Sequence, residues 1–237
     1  MRRAFRWIMF LKLPILQESI MLSADNTKIL KRASREVNNE MVINLGIGLP
    51  QMVPNFISEK NRPYIHSENG ILGVGNILTY DKSNPDCMDA GGSYVSVIPG
   101  GSFVDSAESF GYVRRGKVDI SFLGAFQVSS TGDLANWHVP GGRKPGMGGG
   151  LEIASCAKKI IILMKQTDKK GIAKILPKCT FPLTTRNCVN MIITEKAVFN
   201  VSENGLELIE VASGLTMAEI EKTTSDTFSI ANDYKEF

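Results

Sequence analysis

Apolar positions first recur at helical spacing and then gather into short runs. Ile29, Leu30, Ala33 and Val37 share one face of residues 25–39, and Asp25 or Asn26 can cap that stretch, so it predicts an amphipathic helix. Met41–Leu45 is an apolar run that ends on Gly46-Ile47-Gly48, as a buried strand entering a turn would. Pro50 suits the first turn of a second helix, because its φ is fixed and it has no N–H to leave unpaired; this helix is expected to reach about Glu59. Tyr64–His66, Tyr94–Ile98, Ile120–Leu123, Lys159–Met164 and Met191–Thr194 repeat the short apolar pattern, while 106–115 and 151–158 read as helical stretches between them. Buried strands alternating with helices predict an α/β fold: an open, mainly parallel sheet flanked by helices.

Near the end of the chain, Ala197–Val201 and Leu206–Val211 flank Ser202-Glu203-Asn204-Gly205. Asn-Gly between two apolar runs signals a hairpin whose two central residues need positive φ. Residues 216–224 read as a last short helix. With no repeat and no obvious linker, residues 22–237 form one expected domain. Residues 1–21 are set apart as an N-terminal extension outside the fold. That extension is basic and apolar, but Lys12 and Pro14 interrupt its apolar run and no small-residue cleavage site follows. It is too short to span a membrane. Translation from Met21 is the reading favoured here, and an Arg-rich mitochondrial presequence is the alternative.

Composition narrows the function. The chain has 237 residues, 43% hydrophobic and 22% charged, which is enough for a sizeable core and excludes wholesale disorder. The formal charge of +3 comes from Arg2, Arg3, Arg6 and Lys12 against Glu18; the rest of the chain is balanced, and no basic face recommends a nucleic-acid partner. Cys87, Cys156, Cys179 and Cys188 form no C-x-x-C pair and read as reduced thiols. His66 and His138 are the only histidines, which excludes a three-histidine zinc site, and no metal is expected.

Four constellations bear on chemistry. Gly46-Ile47-Gly48 between strand and helix, with Glu68 further on, outlines a dinucleotide-binding unit; Gln51 stands where a third glycine would be required. His66-Ser67-Glu68 opens like a zinc-deaminase signature, but Pro177-Lys178-Cys179 lacks the second cysteine. Ser67-Glu68-Asn69-Gly70 places a carboxylate on a sharp turn at a strand end, with Gly73 and Gly75 leaving room for a ligand against the backbone. The same tetrapeptide at 202–205 reads as a plain hairpin. Gly141-Gly142 and Gly146 to Gly150 form a loop whose flexibility suits backbone N–H groups aimed at an anion or a developing oxyanion.

Five stretches together resemble one family: NLGIGLP (44–50), HSENGILGVG (66–75), residues 98–142, GMGGGLE (146–152) and KCTFPLTTRNCVNMIITEKAVFNV (178–201). The chain resembles the β subunit of the family I CoA-transferases, most closely the succinyl-CoA:3-oxoacid branch, over about residues 26–230. The resemblance implies that Glu68 is the nucleophile and that the backbone N–H of Gly149 faces the oxyanion. Ser67, Asn69, Gly70 and Gly148 are then supporting residues, and Gly46, Gly48, Gly73 and Gly75 lie along bound CoA or substrate. Gly150-Leu151-Glu152 stands where the family usually shows Ala-Met-Asp, and the extra glycine loosens the loop. The resemblance also implies an α-subunit partner in an α2β2 assembly, acyl-CoA and short carboxylic acids as ligands, and no membrane. CoA is then a substrate held covalently in the intermediate, with no permanently bound cofactor. A bacterial cytoplasmic setting is favoured over the mitochondrial matrix. Succinate/acetoacetate, acetate/acetoacetate and butyrate pairs all stay open, with Arg114, Arg115 and Arg143 as candidates for a second carboxylate. Two other readings remain: a dinucleotide-binding oxidoreductase, and a ligand-binding or regulatory relative without activity.

Overall fold

The computed structural model describes residues 22–142 and 146–237. The expected extension (1–21) and Arg143 lie outside the described residues. The elements in order are α1 (Ala24–Ala33), β1 (Val42–Leu45), β2 (Tyr64–Ser67), β3 (Ile71–Ile77), β4 (Val95–Phe103), α2 (Ser106–Arg114), β5 (Ile120–Leu123), β6 (Gln127–Ser129), β7 (Leu134–Ala135), α3 (Gly150–Cys156), β8 (Lys159–Leu163), β9 (Ile175–Leu176), β10 (Met191–Ile193), β11 (Ala197–Ser202), β12 (Gly205–Val211), α4 (Met217–Thr223) and β13 (Phe228–Glu236). Ten strands form one sheet in the order β13-β12-β11-β10-β8-β5-β1-β2-β3-β4, and β7-β6-β9 form a small second sheet.

The middle strands β10, β8, β5, β1 and β2 run parallel, and they are the short apolar runs. Strand alternation divides their side chains between two layers. Ile43, Ile65, Phe122, Ile161 and Leu163 face α1 and residues 49–56, where Ile29, Leu30, Ala33 and Val53 complete a core. Leu123, Ile160, Ile162 and Ile192 face the opposite layer with Val128, Leu134, Phe199 and Ile220. On that same side α2 and α3 pack through Val113, Val118, Ile153 and Phe110. No helix among the described residues is long and apolar enough to cross a membrane.

Four expectations are corrected. The first helix stops at Ala33, followed by a 3-10 turn (Ser34–Glu36), and Val37 is extended. The Asn38 side chain accepts the Glu40 N–H at 3.0 Å, a local bond that competes with helix. The second helix is a 3-10 helix over Leu49–Phe56, where Pro54 removes a donor from the ladder. The sheet is mainly parallel as expected, the edge pair β12–β13 included, with antiparallel pairs at β2–β3, β3–β4, β10–β11 and β11–β12; β3 and the C-terminal strand β13 stand where no strand was expected. The hairpin at 202–205 is present, but of its turn residues Gly205 alone has positive φ (101°), so Glu203 and Asn204 turn the corner without it.

Candidate active site

The register of β1, β2 and β5 aligns Ser121, Asn44 and His66 across three neighbouring strands. All three are buried, and they project to the face covered by α2 and α3. In a parallel sheet centre this is a row of polar side chains where apolar ones belong, so each requires a partner. The Ser121 hydroxyl donates to Asn44 Oδ1 (3.2 Å). The Asn44 amide donates to the carbonyl of His66 (3.3 Å) and to Glu68 Oε2 (3.0 Å). His66 Nε2 meets Ser109 Oγ on α2 at 2.8 Å. Burial lowers the His66 pKa, against a smaller opposing effect of the Ser109 bond, so the ring is neutral at neutral pH.

Glu68 sits at the corner of a second hairpin. Ser67 pairs with Ile71, and the Gly70 N–H closes the turn on the Ser67 carbonyl at 3.0 Å. Gly70 adopts φ of 124°, and a Cβ there would fall 2.1 Å from the Val104 carbonyl oxygen, so both conformation and space demand glycine. Ser67 Oγ accepts the Ala90 N–H (2.8 Å), and the Asn69 amide donates to the Met88 carbonyl (2.8 Å). These bonds brace the turn from behind and leave the half-buried Glu68 carboxylate with Asn44 as its hydrogen-bond donor. Both Ser-Glu-Asn-Gly segments turn a hairpin, but the loop is three residues here (Glu68 to Gly70) and two residues there (Glu203 and Asn204). They differ in surroundings: Glu203 is exposed, whereas Glu68 faces the glycine loop.

That loop reaches Glu68 at Gly149. A methyl group on Gly149 would lie 3.6 Å from Glu68 Cγ. It would also lie 2.6 Å from Phe110 Cζ, so Gly149 is in contact with the α2 ring. Among the described residues no backbone carbonyl takes the Gly149 N–H. A half-buried carboxylate and a glycine backbone thus stand side by side, an arrangement that can serve acyl transfer.

The remaining candidates divide. Gly48 has φ of 96°, and its N–H is taken by the Gln51 side chain at 2.9 Å. Gln51 thereby occupies the position of the third glycine and closes the amide that a pyrophosphate would need, which argues against the dinucleotide-binding unit. Gly46 lies tightly against β5, where a Cβ would be 3.1 Å from Leu123. At Gly73 a Cβ would meet Gly101 at 3.0 Å, and at Gly75 it would meet Ser96 Oγ at 2.3 Å, so β4 occupies the space of their missing side chains. Gly148 has φ of 52° beside Gly149. Arg114 is engaged by Glu152 on α3, and Arg115 is exposed beyond the end of α2. A cleft of about 380 Å³ opens under β2 and β3, lined by Gln51, Arg62, Ile65, Ser67, Val74 and Asp89; neither Glu68 nor Gly149 borders it.

Two thiols are poor competitors for the nucleophile's role. Burial pushes the Cys179 thiol up to about 11 and the Cys188 thiol up to about 12. Asn44, Ser121, Ser109 and Phe110 were not singled out from the sequence. For Asn44 and Ser121 the signal is a lone polar residue inside an apolar run, Met41–Leu45 and Ile120–Leu123; for Ser109 and Phe110 only the fold supplies it.

The described family Coenzyme A transferase matches residues 26–222. A mitochondrial succinyl-CoA:3-ketoacid coenzyme A transferase 2A from Rattus norvegicus is 46% identical over 88% of this chain and 41% of its own length. A probable coenzyme A transferase subunit beta from Bacillus subtilis is 43% identical over 87% of this chain and 95% of its own. The chain therefore spans about two fifths of the rat protein and nearly all of the bacterial subunit. An acyl-CoA transferase from Escherichia coli O157:H7, solved as a thioester complex with CoA, superposes with a TM-score of 0.71 at 21% identity, over 90% of this chain and 43% of its own. The last comparison shows a shared fold.

Proposed function

The chain belongs to the coenzyme A transferase family, and from that premise we propose that it is a β subunit moving CoA between a small acyl-CoA, succinyl-CoA or similar, and a 3-oxo acid such as acetoacetate. The observation that supports this most is the placement of Glu68: a half-buried carboxylate donated to by Asn44, with Gly149 against its side chain.

In the first half-reaction a Glu68 carboxylate oxygen attacks the thioester carbonyl carbon. The oxyanion that forms faces the Gly149 N–H. Collapse breaks the C–S bond, releasing CoA thiolate and leaving a mixed anhydride of the acyl group and Glu68. The thiolate then attacks the glutamyl carbonyl, the C–O bond to the acyl group breaks, and the first acid departs as its carboxylate. Glu68 now holds CoA as a thioester. In the second half-reaction the incoming carboxylate attacks that thioester and expels the thiolate, which attacks the new acyl carbonyl and restores Glu68. Every step exchanges one carboxylate or thiolate for another, so no net proton or electron is needed, and the kinetics are ping-pong.

A carboxylate is a weak nucleophile towards a thioester. The acceleration must come from orientation, from binding of CoA remote from the reacting bond, and from the oxyanion donor. Asn44 fixes the carboxylate and is itself fixed by Ser121. A hydrogen bond to a charged group contributes about 1.5–3 kcal/mol, so Asn44→Ala is expected to lower kcat roughly ten- to hundredfold. KM for the acyl-CoA should stay near wild type, because Asn44 does not reach the bulk of that ligand. Steady-state kinetics at saturating substrate check this.

The proposed assembly joins this chain to an α subunit carrying its own CoA-binding glycine segment, as α2β2. The test is purification of the C-terminally tagged chain from its host, followed by assay with acetoacetyl-CoA and succinate, acetate or butyrate. Co-purification of a second chain and transfer to at least one acid are expected. An assembled complex inactive with all three would overturn the proposal.

A further inference from the structure

We propose that α2 is the spacer between the nucleophile and its oxyanion donor, with Phe110 as the positioning residue. The inference rests on the transfer reading above and concerns the same site. Three consecutive contacts of one helix support it. Ser109, fully buried, bonds His66 two residues before Glu68 on β2. Phe110, the next residue, fills the space where a Gly149 side chain would stand, its Cζ and Cε1 lying 2.6 and 2.9 Å from that point. One turn further, Arg114 donates to Glu152 in the first turn of α3, just after the glycine loop. The helix therefore touches the strand of the nucleophile, the donor glycine and the helix that follows the donor.

These contacts are unequal. Arg114 and Glu152 are both partly exposed, and pairs of that kind contribute little. The Ser109–His66 bond anchors α2 to the strand but does not reach the loop. Phe110 is the contact that sets the loop. The loop needs such a stop, because Gly146, Gly148, Gly149 and Gly150 give its backbone wide conformational freedom. An aromatic ring has few rotatable bonds, so it restrains the glycine at small entropic cost. Without it the Gly149 amide drifts from the oxyanion position, and a displacement of about 1 Å from productive geometry lowers rate by roughly 10²-fold.

The test uses the assembled complex with acetoacetyl-CoA and succinate. Phe110→Ala is expected to lower kcat about 10²-fold while KM for acetoacetyl-CoA stays within about threefold, because an interaction made in the transition state is lost and uniform binding is not. Phe110→Leu should recover at least a tenth of the wild-type kcat. Phe110→Tyr should fall below Leu, because its hydroxyl extends from Cζ, the atom nearest Gly149. That order departs from simple apolar packing, which would favour the larger, ring-conserving Tyr. If Phe110→Ala fails to assemble, the Leu and Tyr variants decide alone. A kcat within twofold of wild type for the assembled Ala variant, or Tyr at or above Leu, would overturn the proposal. Glu68→Gln assayed in parallel separates the two claims: a dead Glu68→Gln with unaffected Phe110 variants removes the spacer and keeps the nucleophile, whereas an active Glu68→Gln removes the transfer reading itself.

Discussion

Glu68→Gln is expected to abolish CoA transfer, with kcat reduced at least about 10³-fold, while the complex folds and assembles normally. Glutamine keeps the shape of the side chain and an oxygen for the Asn44 amide, so the hairpin and the polar row stay in place. It lacks the carboxylate, and an amide oxygen forms neither the anhydride nor the thioester. The turn itself is set by Gly70 and by the Ser67 and Asn69 side-chain bonds, none of which involves the Glu68 carboxylate. The melting temperature should therefore move little, as is usual for a substitution away from the core. Glu203→Gln is the matched control, with the same four-residue motif, an exposed position and an expected wild-type rate. Steady-state rates and melting curves of both variants check the prediction.

Gly149→Ala is expected to lower kcat by about 10²–10³-fold, the usual effect of losing one oxyanion donor. At φ of −75° alanine is conformationally acceptable at this position, so the effect does not come from backbone strain. It comes from space: the methyl group would stand 2.6 Å from Phe110 Cζ and 3.6 Å from Glu68 Cγ, and the loop must move away from both. Gly150→Ala is the control, because a Cβ there meets nothing within 4 Å. It should retain most of the activity. Adding Phe110→Leu to Gly149→Ala relieves the clash and should restore part of the rate; a strictly additive loss would show that the ring and the glycine act separately.

The sheet was legible where burial dictates the sequence. Ile120–Leu123 is buried along its whole length and apolar but for Ser121, because both its faces are covered, and its bounds agree with the apolar run. The strand β3 was hidden by Gly73, whose positive φ and adjacent register shift break the alternation. The strand β13 was hidden because its edge position leaves most of it exposed, so Asn232, Asp233 and Lys235 fall where a half-buried strand would be apolar. The second helix was misread at Pro54, which suits a 3-10 helix and not an α-helix interior.

The site was legible in part. Glu68 and Gly149 came from the joint presence of several motifs, since each motif alone has an ordinary explanation. The duplicate at 202–205 makes the point physically: identical residues turn a hairpin in both places, and the neighbours Asn44, Phe110 and Gly149 give one carboxylate its setting. Those neighbours come from β1, α2 and a distant loop. Their meeting depends on strand order and register, which local pattern does not encode. The packing of β4 against Gly73 and Gly75 was not legible, because glycine reads alike whether a ligand or another strand takes its space.

The most direct measurement traps the covalent intermediate. The assembled complex would be mixed with acetoacetyl-CoA, reduced with borohydride, digested and mapped by mass. Reduction of a glutamyl thioester to an alcohol removes about 14 Da from that residue, and the account predicts the loss on the peptide containing Glu68. An unmodified Glu68 peptide in a complex that is transferring CoA, or the same mass loss on a different carboxylate, would contradict it.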